Sequence, residues 1–130
     1  MDFLKNELCT GECAPILLGD SGFARSVSRR FFSRYHVISH IFCNRVPFLR
    51  HFCLTAKYHT VTGFEKDELL LIALQDFAAG VQKRDLILYL ISGNDHARQF
   101  IEQNREQLEA DFVIADTQSL EKLIGTEPTV

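Results

Sequence analysis

At 130 residues, 46% of them apolar and 24% charged, the chain is one domain of ordinary size with enough apolar residues for a real core. Three prolines and seven glycines leave no room for a long disordered linker, and no apolar run approaches the roughly 18–20 residues of a membrane span. The start, Met-Asp-Phe-Leu-Lys-Asn-Glu-Leu, is mixed in charge and lacks the apolar centre of a signal peptide, so a cytoplasmic protein with no membrane partner is expected.

The net charge of −3 conceals an asymmetry. Between Ser21 and Phe64 there is no Asp or Glu, while Arg25, Arg29, Arg30, Arg34, Arg45, Arg50 and Lys57 all fall there; from Glu65 onward thirteen acids face six bases. An anionic ligand on the front half is one consequence, and a solvated arginine face on the first helix is the other.

Residues 1–13 read as a short lead-in. Ala14–Gly19 is the first strand, because Ile16, Leu17 and Leu18 form the apolar run of a buried strand. Gly19 and Gly22 bracket a tight turn, and Gly22–Tyr35 is a helix with Ala24, Val27, Phe31 and Tyr35 on one face. A strand, a two-glycine turn and a helix form the first half of a βαβ unit, presenting backbone N–H groups at the helix start.

His36–Cys43, β-branched and aromatic, is expected as the second strand, with His36 and His40 as strand histidines on the side facing a helix. Pro47 interrupts Asn44–Lys57, where Phe48–Phe52 allows one helical turn, and Tyr58–Thr62 is a short third strand. Thr62 and Glu65 have capping-box spacing ahead of a long helix that carries Leu69, Leu70, Ala73, Leu74 and Phe77 and stops at Gly80. Lys83-Arg84-Asp85 is an exposed turn.

Leu86–Ile91, apolar on both faces, is a central parallel strand. Ser92-Gly93-Asn94-Asp95 turns it into a helix over His96–Leu108, with Ala97, Phe100, Ile101 and Leu108 inward. Phe112–Ala115 is a fifth strand, Ser119–Ile124 a closing helix, and 125–130 a polar tail. Alternating strands and helices predict an α/β domain over 14–124, three-layered, with a parallel sheet covered on both faces.

Ligands of open parallel sheets bind beyond the carboxyl ends of the strands at a switch point. Three turns meet that description: Gly19-Asp20-Ser21-Gly22, Cys43-Asn44-Arg45 and Ser92-Gly93-Asn94-Asp95. A dinucleotide fingerprint would need glycine where Leu17 stands and an acid where the second strand ends in Phe42-Cys43-Asn44; no Gly-Lys-Ser/Thr marks a P-loop. Ser21 lacks the spacing of a nucleophile elbow, and either Ser21 or Asp20 reads as the cap of the helix. Cys9, Cys13, Cys43 and Cys53 form no C-x-x-C, and Cys43, His51 and Cys53 lack a fourth ligand, so reduced thiols and no metal site are expected.

The order Pro15-Ile16-Leu17-Leu18-Gly19-Asp20-Ser21-Gly22-Phe23-Ala24-Arg25-Ser26, then an arginine-rich helix and Tyr35-His36-Val37-Ile38-Ser39-His40, resembles the N-terminal, pre-ATP-grasp domain of ATP-grasp ligases, in particular the carboxylate–amine and D-aspartate ligase group. Leu88 through Asp95, Phe100 through Leu108 and Asp111 through Ile114 are similar to a later strand–turn–helix–strand of that domain, so the resemblance spans about 14–124.

It implies a Rossmann-like unit that helps hold a carboxylate or amino-acid-like substrate and forms one wall of an ATP cleft. Gly19, Asp20, Ser21, Gly22, Arg25, Asn44, Arg45, Gly93, Asn94 and Asp95 are then the binding residues. The ATP-grasp region that follows in the family carries the Mg²⁺ carboxylates. ATP and Mg²⁺ are accordingly expected for a full-length ligase, and no cofactor or catalytic residue for this chain alone. The downstream ATP-grasp domain is the implied partner, a homo-oligomer is compatible, and nucleic acid is not expected, the front-half aromatics reading as core. The alternative is a stand-alone nucleotide- or anion-binding module using the same turns.

Overall fold

The structure, a computed structural model, describes residues 13–44, 55–81 and 87–125. Strand β1 (Cys13–Leu18) is buried along its whole length because it lies in the middle of the sheet. It pairs in parallel with β2 (Ser39–Cys43) on one side, Leu17 opposite Ile41, and with β4 (Ile87–Ser92) on the other, Ile16 opposite Leu90. β3 (Ala56–Thr60) extends the β2 side and the two-residue β5 (Val113–Ile114) the β4 side. The five strands run in the order β3-β2-β1-β4-β5, all parallel. This is the Rossmann-like arrangement.

Helix α1 (Gly22–Tyr35) begins where Ser21 Oγ accepts the Ala24 N–H and ends where His36 takes a left-handed conformation, φ 59°, its N–H returning to Phe32 O. That cap corrects the expected second strand: His36 closes α1, and pairing starts only at Ser39. The third strand likewise lies two residues earlier than its periodicity suggests.

Helix α2 (Asp67–Val81) follows a turn around Gly63, φ 76°, in which Gly63 O accepts the Lys66 N–H. The Thr62–Glu65 pair therefore lies in this turn and caps nothing. Gly80 sits inside α2 rather than ending it. Leu69 belongs outside the core, 41% exposed on α2, as does Phe32 at 39% on α1.

The expected long fourth helix is two: α3 (Asp95–Gln103) and α4 (Arg105–Leu108), separated at Asn104, whose backbone and side-chain N–H groups both reach Phe100 O. Helix α5 (Thr117–Ile124) is capped by Asp116, which accepts the Ser119 N–H. The expectations for 1–12, Pro47, Phe48–Phe52, Lys83-Arg84-Asp85 and the tail after Gly125 lie outside the described residues.

Two cores follow from strand alternation. Ala14, Ile16 and Leu18 of β1 face α2, α3 and α4 and join Phe42, Leu70, Leu74, Leu90, Phe100 and Leu108. Cys13 and Leu17 face α1 and α5 and join Val27, Phe31, Ile41, Tyr89, Ile91 and Leu123. The α1–α5 contact is reinforced by Tyr35, whose hydroxyl donates to Leu123 O, and by Arg30, which donates to Gly125 O at 2.7 Å.

Candidate ligand site at the β1–β4 switch point

The chain leaves β1 toward β2 and β3, then returns across the sheet to β4 and β5, so the order reverses between β1 and β4. The turns after those two strands, 19–22 and 92–95, are 70 residues apart in sequence and meet at that point. Gly93 N–H donates to Leu18 O at 2.7 Å, and Ser21 Oγ donates to Gly93 O at 3.0 Å. Gly19 N–H donates to Phe42 O at 2.7 Å, tying the first turn to β2 as well.

Two glycines here are structural. A Cβ on Gly93 would stand 2.5 Å from Gly19 O and 2.6 Å from Leu18 O, and one on Gly19, φ 95°, would stand 2.5 Å from Asn94 Nδ2. Side chains at either place would drive the turns apart. Gly22 is different, since a Cβ there would meet nothing within 4 Å and its φ is not left-handed.

Ser21 and Asn94 do the same work on opposite sides of the sheet. Ser21 caps α1, and Asn94 Oδ1 caps α3 by accepting the Ala97 N–H at 2.8 Å. Each cap takes the third N–H of its helix, and helix geometry leaves the first two, at Gly22 and Phe23 and at Asp95 and His96, without an intrahelical acceptor. Two helix starts thus bring partial positive charge to one place above the sheet.

Asp20 is held by Arg25 Nη1 at 3.0 Å and by the Tyr58 hydroxyl from β3 at 3.4 Å. Arg25 is therefore turned onto the first turn rather than into solvent alone. Asp95 is exposed and paired with Arg98 at 3.1 Å. Asn44 is exposed just beyond β2, and Arg45 lies outside the described residues. Of the ten expected site residues, eight come together around the two turns.

Tyr58 was not foreseen, because its contact with Asp20 depends on β3 lying two strands from β1. The departures from a dinucleotide site also find their cause. Leu17, at the place of the missing glycine, is a fully buried core residue under α1.

A cleft of about 130 Å³ opens beside the second turn, beyond the ends of β4 and β5. Ser92 belongs to both, and Phe23, Ile101, Ile114, Ala115 and Leu120 supply much of its lining. A cavity of about 370 Å³ runs along β4 and α5 from Ile87 to Leu123, and neither turn contributes to it.

Among the described residues no group of three or more His, Cys, Asp or Glu side chains could hold a metal ion. Cys13 and Cys43 are buried thiols, and burial pushes Cys13 up to about 11. No helix among the described residues is long and apolar enough to cross a membrane.

The fold and the paired turns define a Rossmann-like α/β domain with its topological switch point between β1 and β4. No protein-family model, curated protein or solved structure matches this chain.

Proposed function

We propose that this domain binds a small anionic molecule, a carboxylate or nucleotide, across the β1–β4 switch point, and serves as the substrate-side domain of an ATP-dependent carboxylate–amine ligase. One observation carries the reading: two turns remote in sequence are bonded to each other where the strand order reverses, each opening a helix whose first two amides have no intrahelical acceptor. Gly22 adds support, because the chain's own packing does not require a glycine there; a bare backbone at a helix start suits close approach by a ligand. The ligase assignment rests on the resemblance of both turns and their following helices to the pre-ATP-grasp domain. In that role the chain supplies binding and orientation, and the metal-bridged phosphates belong to the partner region.

Titration of the ¹⁵N-labelled chain with acetate, inorganic phosphate and AMP tests the first part. Amide shifts should saturate at Gly22, Phe23, Asp95 and His96. Flat titrations with all three would overturn it. The reading frame beyond codon 130 tests the second part: an ATP-grasp region is expected, and an unrelated sequence would leave the stand-alone module.

A further inference from the structure

We infer that the cleft beyond β4 and β5 is the pocket for an apolar group, about the size of a benzene ring, carried by the ligand seated at the switch point. The inference deepens the proposed function and rests on it for the ligand's charged end.

Three observations combine. The first is size, since 130 Å³ is close to the roughly 150 Å³ of a cavity that takes up benzene. A ring or a branched aliphatic group would occupy it; a folded peptide segment would not.

The second is charge. Arg98, Glu102, Arg105 and Asp116 surround the cleft, and both of its cations are already paired. Arg98 pairs with Asp95 at 3.1 Å, Arg105 with Glu102 at 2.6 Å and Glu109 at 3.3 Å, and Asp116 accepts the Ser119 N–H at 2.9 Å. The rim thus offers no unpaired cation to the anionic end of a ligand, whereas Ile91, Ile101, Ile114, Ala115 and Leu120 offer apolar surface.

The third is position. Phe23 is the second residue of α1, one step from the Gly22 amide; it lines the cleft and is 43% exposed. Ser92 joins the cleft to the second turn. A ligand whose anionic group reached the Gly22 and Phe23 amides would bring its next atoms past Phe23 and into the cleft. Covering the exposed part of that ring would add to binding in proportion to the apolar area removed from water.

The experiment compares propanoate with 3-phenylpropanoate, which differ by the ring alone, by NMR titration of the full chain labelled at backbone amides and Ile, Leu and Ala methyls. The inference expects 3-phenylpropanoate to bind about tenfold tighter or more, shifting Ile101, Ile114 and Ala115 methyls together with the Gly22 and Phe23 amides. Phe23→Ala should remove most of that difference, while Phe23→Leu should keep part of it. Equal affinities, with both probes shifting only the turns, would overturn the cleft inference and leave the proposed function standing. Methyl shifts without amide shifts would keep the apolar pocket and remove the switch-point reading. Silence from both probes would remove both.

Discussion

His40 and His59 bring two imidazoles into contact on the α2 side of the sheet, Nδ1 of one 2.8 Å from Nε2 of the other. Phe42 stacks on His59, and Phe77 from α2 meets both rings edge-on or tilted. One ring nitrogen must donate and the other accept, so the pair holds only while an unprotonated nitrogen remains. Burial, then His59 and Lys57, push His40 down to about 4; burial and then Lys57 push His59 down as well. The unfolded chain takes up these protons near the ordinary 6.5 while the folded chain resists them. The pair's contribution is therefore complete above about pH 6.5 and lost as pH falls toward 4. Urea midpoints at pH 7, 5.5 and 4.5 should fall in that order, and the double change His40→Phe, His59→Phe should flatten the decline. A midpoint independent of pH in the parent chain would contradict the geometry. In the turn after β1, Ser21→Ala removes both the α1 cap and the bond to Gly93 O, at an expected cost of about 1–2 kcal/mol in urea unfolding.

At the scale of elements, the two turns separate packing from binding. Gly93→Ala places a methyl against backbone oxygens that have nowhere to go, and should cost about 1–3 kcal/mol. Gly22→Ala meets open space in the first turn of a helix, so it should leave stability unchanged or raise it by up to about 1 kcal/mol. The same change should weaken phosphate or acetate binding if ligands approach that amide. Thermal melts and titrations on the two variants would separate the effects; loss of stability in Gly22→Ala would contradict the open geometry. Helices were legible where they carried their own punctuation: the glycine turn ahead of Gly22–Tyr35 placed α1 to the residue, and the structure chose Ser21 over Asp20 as its cap. They were less so where side chains competed with the backbone. Asn104 splits one apolar period into α3 and α4 by bonding Phe100 O, and His36 adopts the left-handed conformation that a β-branched run would not suggest.

At the scale of the molecule, the two cores share one sheet and should unfold together. Phe31→Ala on the α1 side and Phe100→Ala on the α3 side each empty a fully buried site, at about 3–5 kcal/mol apiece. Urea curves should shift their midpoints with unchanged slope; a reduced slope in one variant alone would mean that its layer opens separately. Charge is also sorted by the fold. The arginines of α1 lie on one side of the sheet, and the acids of α2, α3 and α4 on the other. Of the α1 arginines, Arg25 is bound to Asp20 and Arg30 to Gly125 O, which thins the patch available to an acidic partner.

Sequence alone determined the class of fold, because apolar runs of strand length alternating with helical periods admit few arrangements other than a covered parallel sheet. It also placed both glycine turns at strand ends, where ligands of such sheets bind. Tertiary structure decided which turns meet. Strand order put β4 beside β1 and so brought 92–95 onto 19–22, and carried Tyr58 to Asp20. It also decided what each glycine is for, since the need for a missing side chain depends on what stands opposite. For Gly19 and Gly93 that is the other turn, and for Gly22 it is open space.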